Sequence, residues 1–234
     1  MDIIPIASSS FGNAYLIADG VTILLIEAGI RLEKIQEKVE LTNIRACLLT
    51  HEHGDHAKFA KKIAKWMPIY ASKGTFDCLD FGIYNYQKNI LKPNKMESIG
   101  TFRIIPIKAF HDAKEPFAYL LKSTITEETL LFATDTYYIS NTFDVLDYIM
   151  IECNYDESIL KRRYANGEVS KLQYKRLYNS HMSLESCIKF LKANDLSKLK
   201  EVYLMHLSDK NSNEQMFKRA IQEVTGTTVI VCKR

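Results

Sequence analysis

The segment THEHGDH, residues 50–56, places His51, His53, Asp55 and His56 within six positions of a chain that has six histidines in all. Imidazole nitrogens joined by a carboxylate oxygen form the donor set that borderline divalent cations prefer. In so histidine-poor a chain, the pattern H-x-H-x-D-H points to metal binding rather than to an incidental polar loop. The chemistry open to such a centre is hydrolysis, because a bound cation polarises a substrate oxygen and acidifies water.

Those side chains need elements to hold them. The apolar run Ala46–Thr50 reads as a buried strand, so His51 and His53 leave its C-terminal end. A helix-spaced segment, Ala57–Trp66, follows at once, with Asp55 suited to cap it. Upstream, Ile3–Ala7, Ala14–Ala18 and Val21–Glu27 read as strands and Ile30–Glu40 as a short helix. Downstream, a strand at 68–72 and a helix over 75–85 precede strands at 101–110, 117–123, 129–134 and 148–153. A helix over 183–193, a strand at 201–205, a helix over 213–224 and a strand at 228–231 complete the chain. Strands first and strand–helix alternation later predict an α+β fold, two sheets packed together with helices outside.

A chain of 234 residues fits one domain, residues 1–234. A hydrophobic content of 47% and a charged content of 25% are those of a globular protein, which excludes a disordered class. The net charge of +3 permits a phosphate-bearing ligand without requiring nucleic acid. Cys47, Cys78, Cys153, Cys187 and Cys232 form no C-x-x-C pair and sit mostly in apolar runs. Buried reduced thiols and a cytoplasmic location are therefore expected. The start, MDIIPIASSS, lacks the basic and long apolar stretches of a signal peptide, and no run approaches the ~18 apolar residues of a membrane span. Association into a homo-oligomer stays open.

The H-x-H-x-D-H segment resembles the signature of the metallo-β-lactamase fold, an αββα sandwich whose members carry one or two metals between two β-sheets. The family's later motifs have counterparts in order: His111 in IKAFHD, Asp135 in LLFATDT and His206 in VYLMHLS, each after an apolar run. The resemblance implies that His51, His53 and His111 hold one divalent ion. Asp55, His56 and His206 would hold a second, with Asp135 bridging the two. Zn²⁺ suits these ligands first, and Mn²⁺ or Fe next. Glu27 in LLIEAG stands where the family usually has Asp, a residue that orients the site from behind the ligands.

Further stretches are similar to the YycJ/WalJ branch of that family: MIECNYD, NSHMSLES, MHLSDKNSN, SSSFGNAYLI and HDAKEPFAY. Cys153 and Tyr155 depart from the branch's usual Ser and His. The Glu152 and His181 positions also resemble the RNase Z pattern, which implies a general acid, His181, held and kept charged by Glu152. Asp55 joins them among the residues expected to take part in the reaction. The segment KRRYANGEVSKLQYKRLY, residues 161–178, has six basic residues, one acidic residue and three tyrosines. Its Lys161, Arg162, Arg163, Lys175 and Arg176 suit the phosphates of a nucleic-acid strand; a solvated amphipathic helix is the competing reading. Ser208 suits a phosphate oxygen or a helix cap.

The branch resemblance implies a dinuclear metal-dependent phosphodiesterase acting on DNA, an exonuclease working 5′ to 3′. Two rivals stay open. One is a hydrolase of small phosphodiesters such as cyclic nucleotides, and the other is a non-catalytic protein that holds metal. A β-lactamase or thioesterase would leave Glu152 and His181 without a task.

Overall fold

A computed structural model describes residues 1–233, which part into two compact units. The first comprises residues 1–108, 113–129 and 233, and the second residues 109–112 and 130–232.

In the first unit, β1 (Asp2–Ser9), β2 (Gly12–Ala18), β3 (Ile23–Ile26), β4 (Ile44–Leu48), β5 (Ile69–Ala71) and β6 (Lys88–Ile90) form a six-stranded sheet in chain order. The hairpin-connected strands β1 to β3 are antiparallel, and β3 to β6 are parallel. The short helices α1 (Leu32–Gln36), α2 (Gly54–Ala57), α3 (Ala60–Ile63) and α4 (Lys73–Asp77) lie between the parallel strands. One apolar cluster, including Leu16, Leu25, Ile35, Cys47, Ile63 and Phe76, unites strands and helices. The strands β7 (Glu97–Ile99), β8 (Phe102–Lys108) and β9 (Phe117–Ser123) form an antiparallel ribbon.

Asp19 ties that ribbon to the six-stranded sheet. Its Oδ1 accepts from the amides of Val21 (3.1 Å) and Thr22 (2.9 Å) in the β2–β3 turn. Its Oδ2 accepts from Thr101 Oγ1 (2.6 Å) and Ser123 Oγ (2.7 Å), at the start of β8 and the end of β9.

In the second unit, β10 (Thr129–Ala133), β11 (Tyr148–Glu152), β12 (Glu201–Met205) and β13 (Thr228–Val231) are all parallel. Their sequences are nearly continuous apolar runs, the pattern of strands covered on both faces. Helices α5 (Glu157–Ala165), α6 (Lys171–Ser180) and α7 (Leu184–Lys192) lie between β11 and β12, and α8 (Glu214–Thr225) lies between β12 and β13. The register pairs Ala133 with Ile151 and Glu152 with Met205, so three strands end level with one another. Asp135, Glu152 and His206 therefore stand side by side at one sheet edge.

Several expected helices are shorter or broken, each for a local reason. The segment 57–66 divides at Phe59, whose amide turns away to bond Ala28 O at 2.9 Å. Asp55 does not cap it: the capping position is His53, and Asp55 lies inside α2. The helix expected over 75–85 stops at Asp77, and a 3₁₀ segment, Gly82–Gln87, follows. The helix expected over 30–40 spans only Leu32–Gln36. The basic segment is two helices, broken at Gly167 with φ 75°, and α6 restarts with a capping box between Ser170 and Gln173. Four thiols are buried as expected, while Cys78 is exposed; all five are free. Among the described residues no helix is long and apolar enough to cross a membrane.

Replacing Asp19 by Ala leaves two amides and two hydroxyls without their acceptor, and is expected to cost about 2–4 kcal/mol of unfolding free energy. Urea denaturation checks this, and a cost under ~1 kcal/mol would show that water replaces the carboxylate there.

Candidate metal centre

In the first unit the loop after β4 carries His51, His53, Asp55 and His56. The His51 ring lies 4.6 Å from that of His53 and 4.2 Å from that of His56, centroid to centroid. His51 and His56 are buried, and Asp55 keeps a side-chain exposure of 20%. Crowded, desolvated imidazoles cannot all be charged. Imidazoles that stay neutral can each offer a lone pair to a cation.

The groups behind this loop fix which nitrogen carries the proton. Glu27, fully buried just past β3, accepts from Thr50 Oγ1 at 2.5 Å. The Thr50 hydroxyl has thereby spent its proton, so it accepts from His51 Nδ1 at 2.9 Å. Glu27 Oε1 also stands 3.3 Å from His56 Nδ1. Burial pushes the Glu27 carboxyl above its ordinary pKa, while His56 and Thr50 pull it back. Asn13, buried in β2, reaches the same loop: its Nδ2 lies 3.2 Å from His56 Nε2 and 3.3 Å from the Asp55 carbonyl oxygen. Asp55 Oδ2 is 3.3 Å from His56 Nε2.

In the second unit His111 Nδ1 meets the carbonyl oxygen of Ser180 at 2.7 Å. A carbonyl only accepts, so Nδ1 carries the proton and Nε2 presents its lone pair. That Nε2 faces two carboxylates, Asp112 at 3.1 Å and Asp135 at 3.6 Å. Asp135 Oδ1 lies 3.3 Å from His206 Nδ1, and Asn154 Nδ2 donates to the His206 carbonyl oxygen at 2.7 Å. Burial holds the His111 imidazole below its ordinary pKa, which keeps it a ligand rather than a cation.

Glu152 is the hub of this unit. Its Oε1 accepts from His181 Nδ1 at 2.6 Å, and its Oε2 accepts from the amides of Thr136 (2.9 Å) and Met182 (3.2 Å). Burial opposes both charged forms, yet the pair outweighs it: His181 is raised above its ordinary pKa and Glu152 lowered below its own. The pairing thus favours the protonated imidazole, in which Glu152 holds the Nδ1 proton and Nε2 carries the other. Oxygens and nitrogens of Asp135, Glu152, His181 and His206 lie within 4.8 Å of one another.

Backbone geometry marks the same residues. Glu27 (φ 70°), Asp135 (φ 44°) and His206 (φ 54°) are three of the five non-glycine residues with left-handed backbone among those described. Each such residue costs about 1 kcal/mol or more, and strain of this kind gathers where a side chain must be aimed.

Both units offer carboxylate and imidazole donors with their far sides held by hydrogen bonds, the condition a divalent cation requires of its ligands. Among the described residues no thiol belongs to these clusters, and burial pushes Cys153, next to Glu152, well above its ordinary pKa. The donor chemistry fits hard-to-borderline divalent metal.

The basic residues are dispersed along α5 and α6. Lys161 pairs with Glu157 at 2.9 Å, and Arg163 is engaged by Glu168 (2.9 Å) and Asn211 (2.6 Å). Arg176 donates to Asp112 at 3.1 Å, beside His111, while Arg162 and Lys175 are exposed. Ser208 Oγ accepts from Asn211 Nδ2 at 3.1 Å in a turn of its own. Tyr174 packs between Tyr164 and Tyr178, with ring centroids at 4.7 and 6.4 Å. Asn13, Thr50, Thr136 and Asn154 were not singled out from the sequence. A buried asparagine in an apolar strand, as Asn13 is in GNAYLIA, was the signal available.

Residues 22–207 match the beta-lactamase superfamily domain. The chain is similar to exodeoxyribonuclease WalJ of Streptococcus pneumoniae, 27% identical over 229 residues, covering 90% of this chain and 83% of that protein. Exodeoxyribonuclease YycJ of Bacillus anthracis is 24% identical over 235 residues, covering 94% and 87%. Among solved structures, the metallo-beta-lactamase fold protein YhfI from Bacillus subtilis matches with a TM-score of 0.78 at 18% identity, over 99% of this chain and 95% of that one. The fold is α+β, with two mixed sheets flanked by helices, as the motifs implied.

Replacing Glu27 by Gln removes the charge that orders Thr50, His51 and His56. Divalent-metal affinity, read by competition with a chelating dye, is expected to fall roughly tenfold to a hundredfold. Glu27→Asp should recover part of it, and unchanged affinity in Glu27→Gln would deny the relay a role.

Proposed function

We propose that this chain, which belongs to the beta-lactamase superfamily and is a metal-dependent hydrolase, hydrolyses the phosphodiester bonds of DNA as an exonuclease working from 5′ ends. The observation that carries this reading is the Glu152–His181 pair, a part-buried imidazole held on a fully buried carboxylate within reach of Asp135 and His206. A phosphodiester needs such an acid, because its leaving alkoxide is a strong base. The names of the two exodeoxyribonuclease relatives support the same substrate class.

The ligand assignment is part of the proposal. His51, His53 and His111 would hold one ion and Asp55, His56 and His206 a second, with Asp135 available to both, Zn²⁺ the expected metal and Mn²⁺ the alternative. Bound there, the ions supply the positive charge that neutralises the diester and lower the pKa of water toward ~7. The remaining work belongs to the chain. His181 donates its Nε2 proton to the departing oxygen, and Glu152 holds the ring and stabilises its charge. Asp55, the partly exposed carboxylate of the histidine loop, accepts the proton of the attacking water. Arg162 and Lys175 offer cations along α5 and α6 for the phosphates of the strand, while Arg176, Lys161, Arg163 and Ser208 are engaged in local pairing. The two units, joined by chain crossings at 108/109, 112/113, 129/130 and 232/233, act as one hydrolase domain.

A panel of 5′- and 3′-labelled single and double strands, with cyclic mononucleotides alongside, tests the reading on metal-loaded protein. Shortening from the 5′ end is expected, and hydrolysis of cyclic nucleotides alone would overturn it. Asp135→Ala should abolish turnover and reduce bound metal. His181→Ala should lower kcat by roughly 10²–10⁴ while metal content stays the same. Full activity in either variant contradicts the assigned roles.

A further inference from the structure

A second feature of the second unit has no part in holding metal. A cavity of about 180 Å³ is walled by the loop Tyr137–Thr142, by Met182, which directly follows His181 in the chain, and by one face of α7. Tyr137 and Tyr138 are 41% and 54% exposed, where large aromatic side chains are mostly inside. Both rest on Phe110, with ring centroids at 5.9 and 6.0 Å, and Phe110 immediately precedes His111.

The ledge is fixed. Phe110 N donates to Thr136 Oγ1 at 2.9 Å, Tyr137 N donates to Phe110 O at 3.1 Å, and Thr136 Oγ1 donates to Tyr138 O at 2.7 Å. The Glu152 carboxylate accepts from the amide of Met182, which lines the cavity, and from that of Thr136, which directly precedes the lining residue Tyr137. The group that holds His181 therefore also anchors the chain at Met182 and next to Tyr137.

We propose that this cleft is a nucleobase subsite: the unpaired terminal base of the strand stacks on Tyr137 and Tyr138 while its phosphate lies at His181. The inference rests on the nuclease reading and adds where the base goes. The chemistry of the lining favours a base over a purely apolar ligand. Exposed rings supply π-faces, Asn141 and Thr142 supply amide and hydroxyl groups, and exposed Lys189 supplies a cation for the neighbouring phosphate. Identity of the base is read weakly. Asn194 is already occupied by Phe143 N (2.7 Å) and Phe190 O (2.6 Å), and Ser140 Oγ donates to Asn141 Oδ1 at 3.3 Å. Stacking without such readout tolerates all four bases, as degradation of arbitrary sequence requires.

The test pairs the double variant Tyr137→Ala, Tyr138→Ala with an oligonucleotide whose terminal base, at the attacked end, is replaced by an abasic residue. Wild-type protein should bind a strand ending in 2-aminopurine with quenched fluorescence. Either change alone should raise KM roughly tenfold to a hundredfold, with kcat little altered, and the two together should cost no more than one. Tyr137→Phe with Tyr138→Phe should restore the quench and KM, and unchanged thermal unfolding of the variants separates loss of stacking from loss of fold. Equal KM for normal and abasic strands, with the double variant matching wild type, would overturn the subsite and leave the nuclease reading standing. Failure of wild-type protein to cut either strand would instead overturn the nuclease reading, with the quench still reporting the cleft.

Discussion

A carboxylate removed from water must find its charge partners in the protein, and Glu152 is removed completely. Its desolvation costs several kcal/mol unless donors surround it. Those donors come from three places: an imidazole after α6, the amide at the start of α7, and an amide in the loop after β10. Satisfying one charge therefore holds His181, Met182 of the aromatic cleft and the loop that presents Asp135. Chemistry and architecture in this unit share a single electrostatic requirement.

The first unit meets the same requirement with a different residue. Glu27, also buried, gathers Thr50 and His56 and, through Thr50, His51. Glu27 stands on left-handed backbone, φ 70°, just past the strand end. Each unit thus has one buried glutamate past a strand end, and each glutamate sets the proton positions of the imidazoles beside it. Fixing a tautomer by a hydrogen bond to the far nitrogen prepares an imidazole for a cation without needing the cation to be present.

Much of this was legible in the sequence because the signals are local. The H-x-H-x-D-H loop lies within seven residues, and the apolar runs before Asp135, Glu152 and His206 read as strands, while the parallel register that sets them at one edge came only with the fold. What escaped was set by tertiary contacts. Phe59 leaves its helix because Ala28 offers a carbonyl, and no periodicity in AKFAKKIAKW records that. The break at Gly167 was visible as a glycine, yet the capping box that restarts α6 turns one expected amphipathic helix into two. Asn13 and Asn154 stand far from the histidines they serve, and distance along the chain conceals such partners. The cleft lined by Tyr137, Tyr138 and Met182 was hidden for the same reason, since Phe110, on which its rings rest, lies far from them in the sequence.

The account's central claim is that seven side chains of this chain gather divalent metal, with Asp135 common to two ions. Anomalous diffraction at the metal's absorption edge from crystals of the metal-loaded protein tests it most directly. The prediction is two strong peaks about 3.5–4 Å apart, both in contact with the Asp135 carboxylate. A single peak away from Asp135, or metal bound only at surface residues, would contradict it.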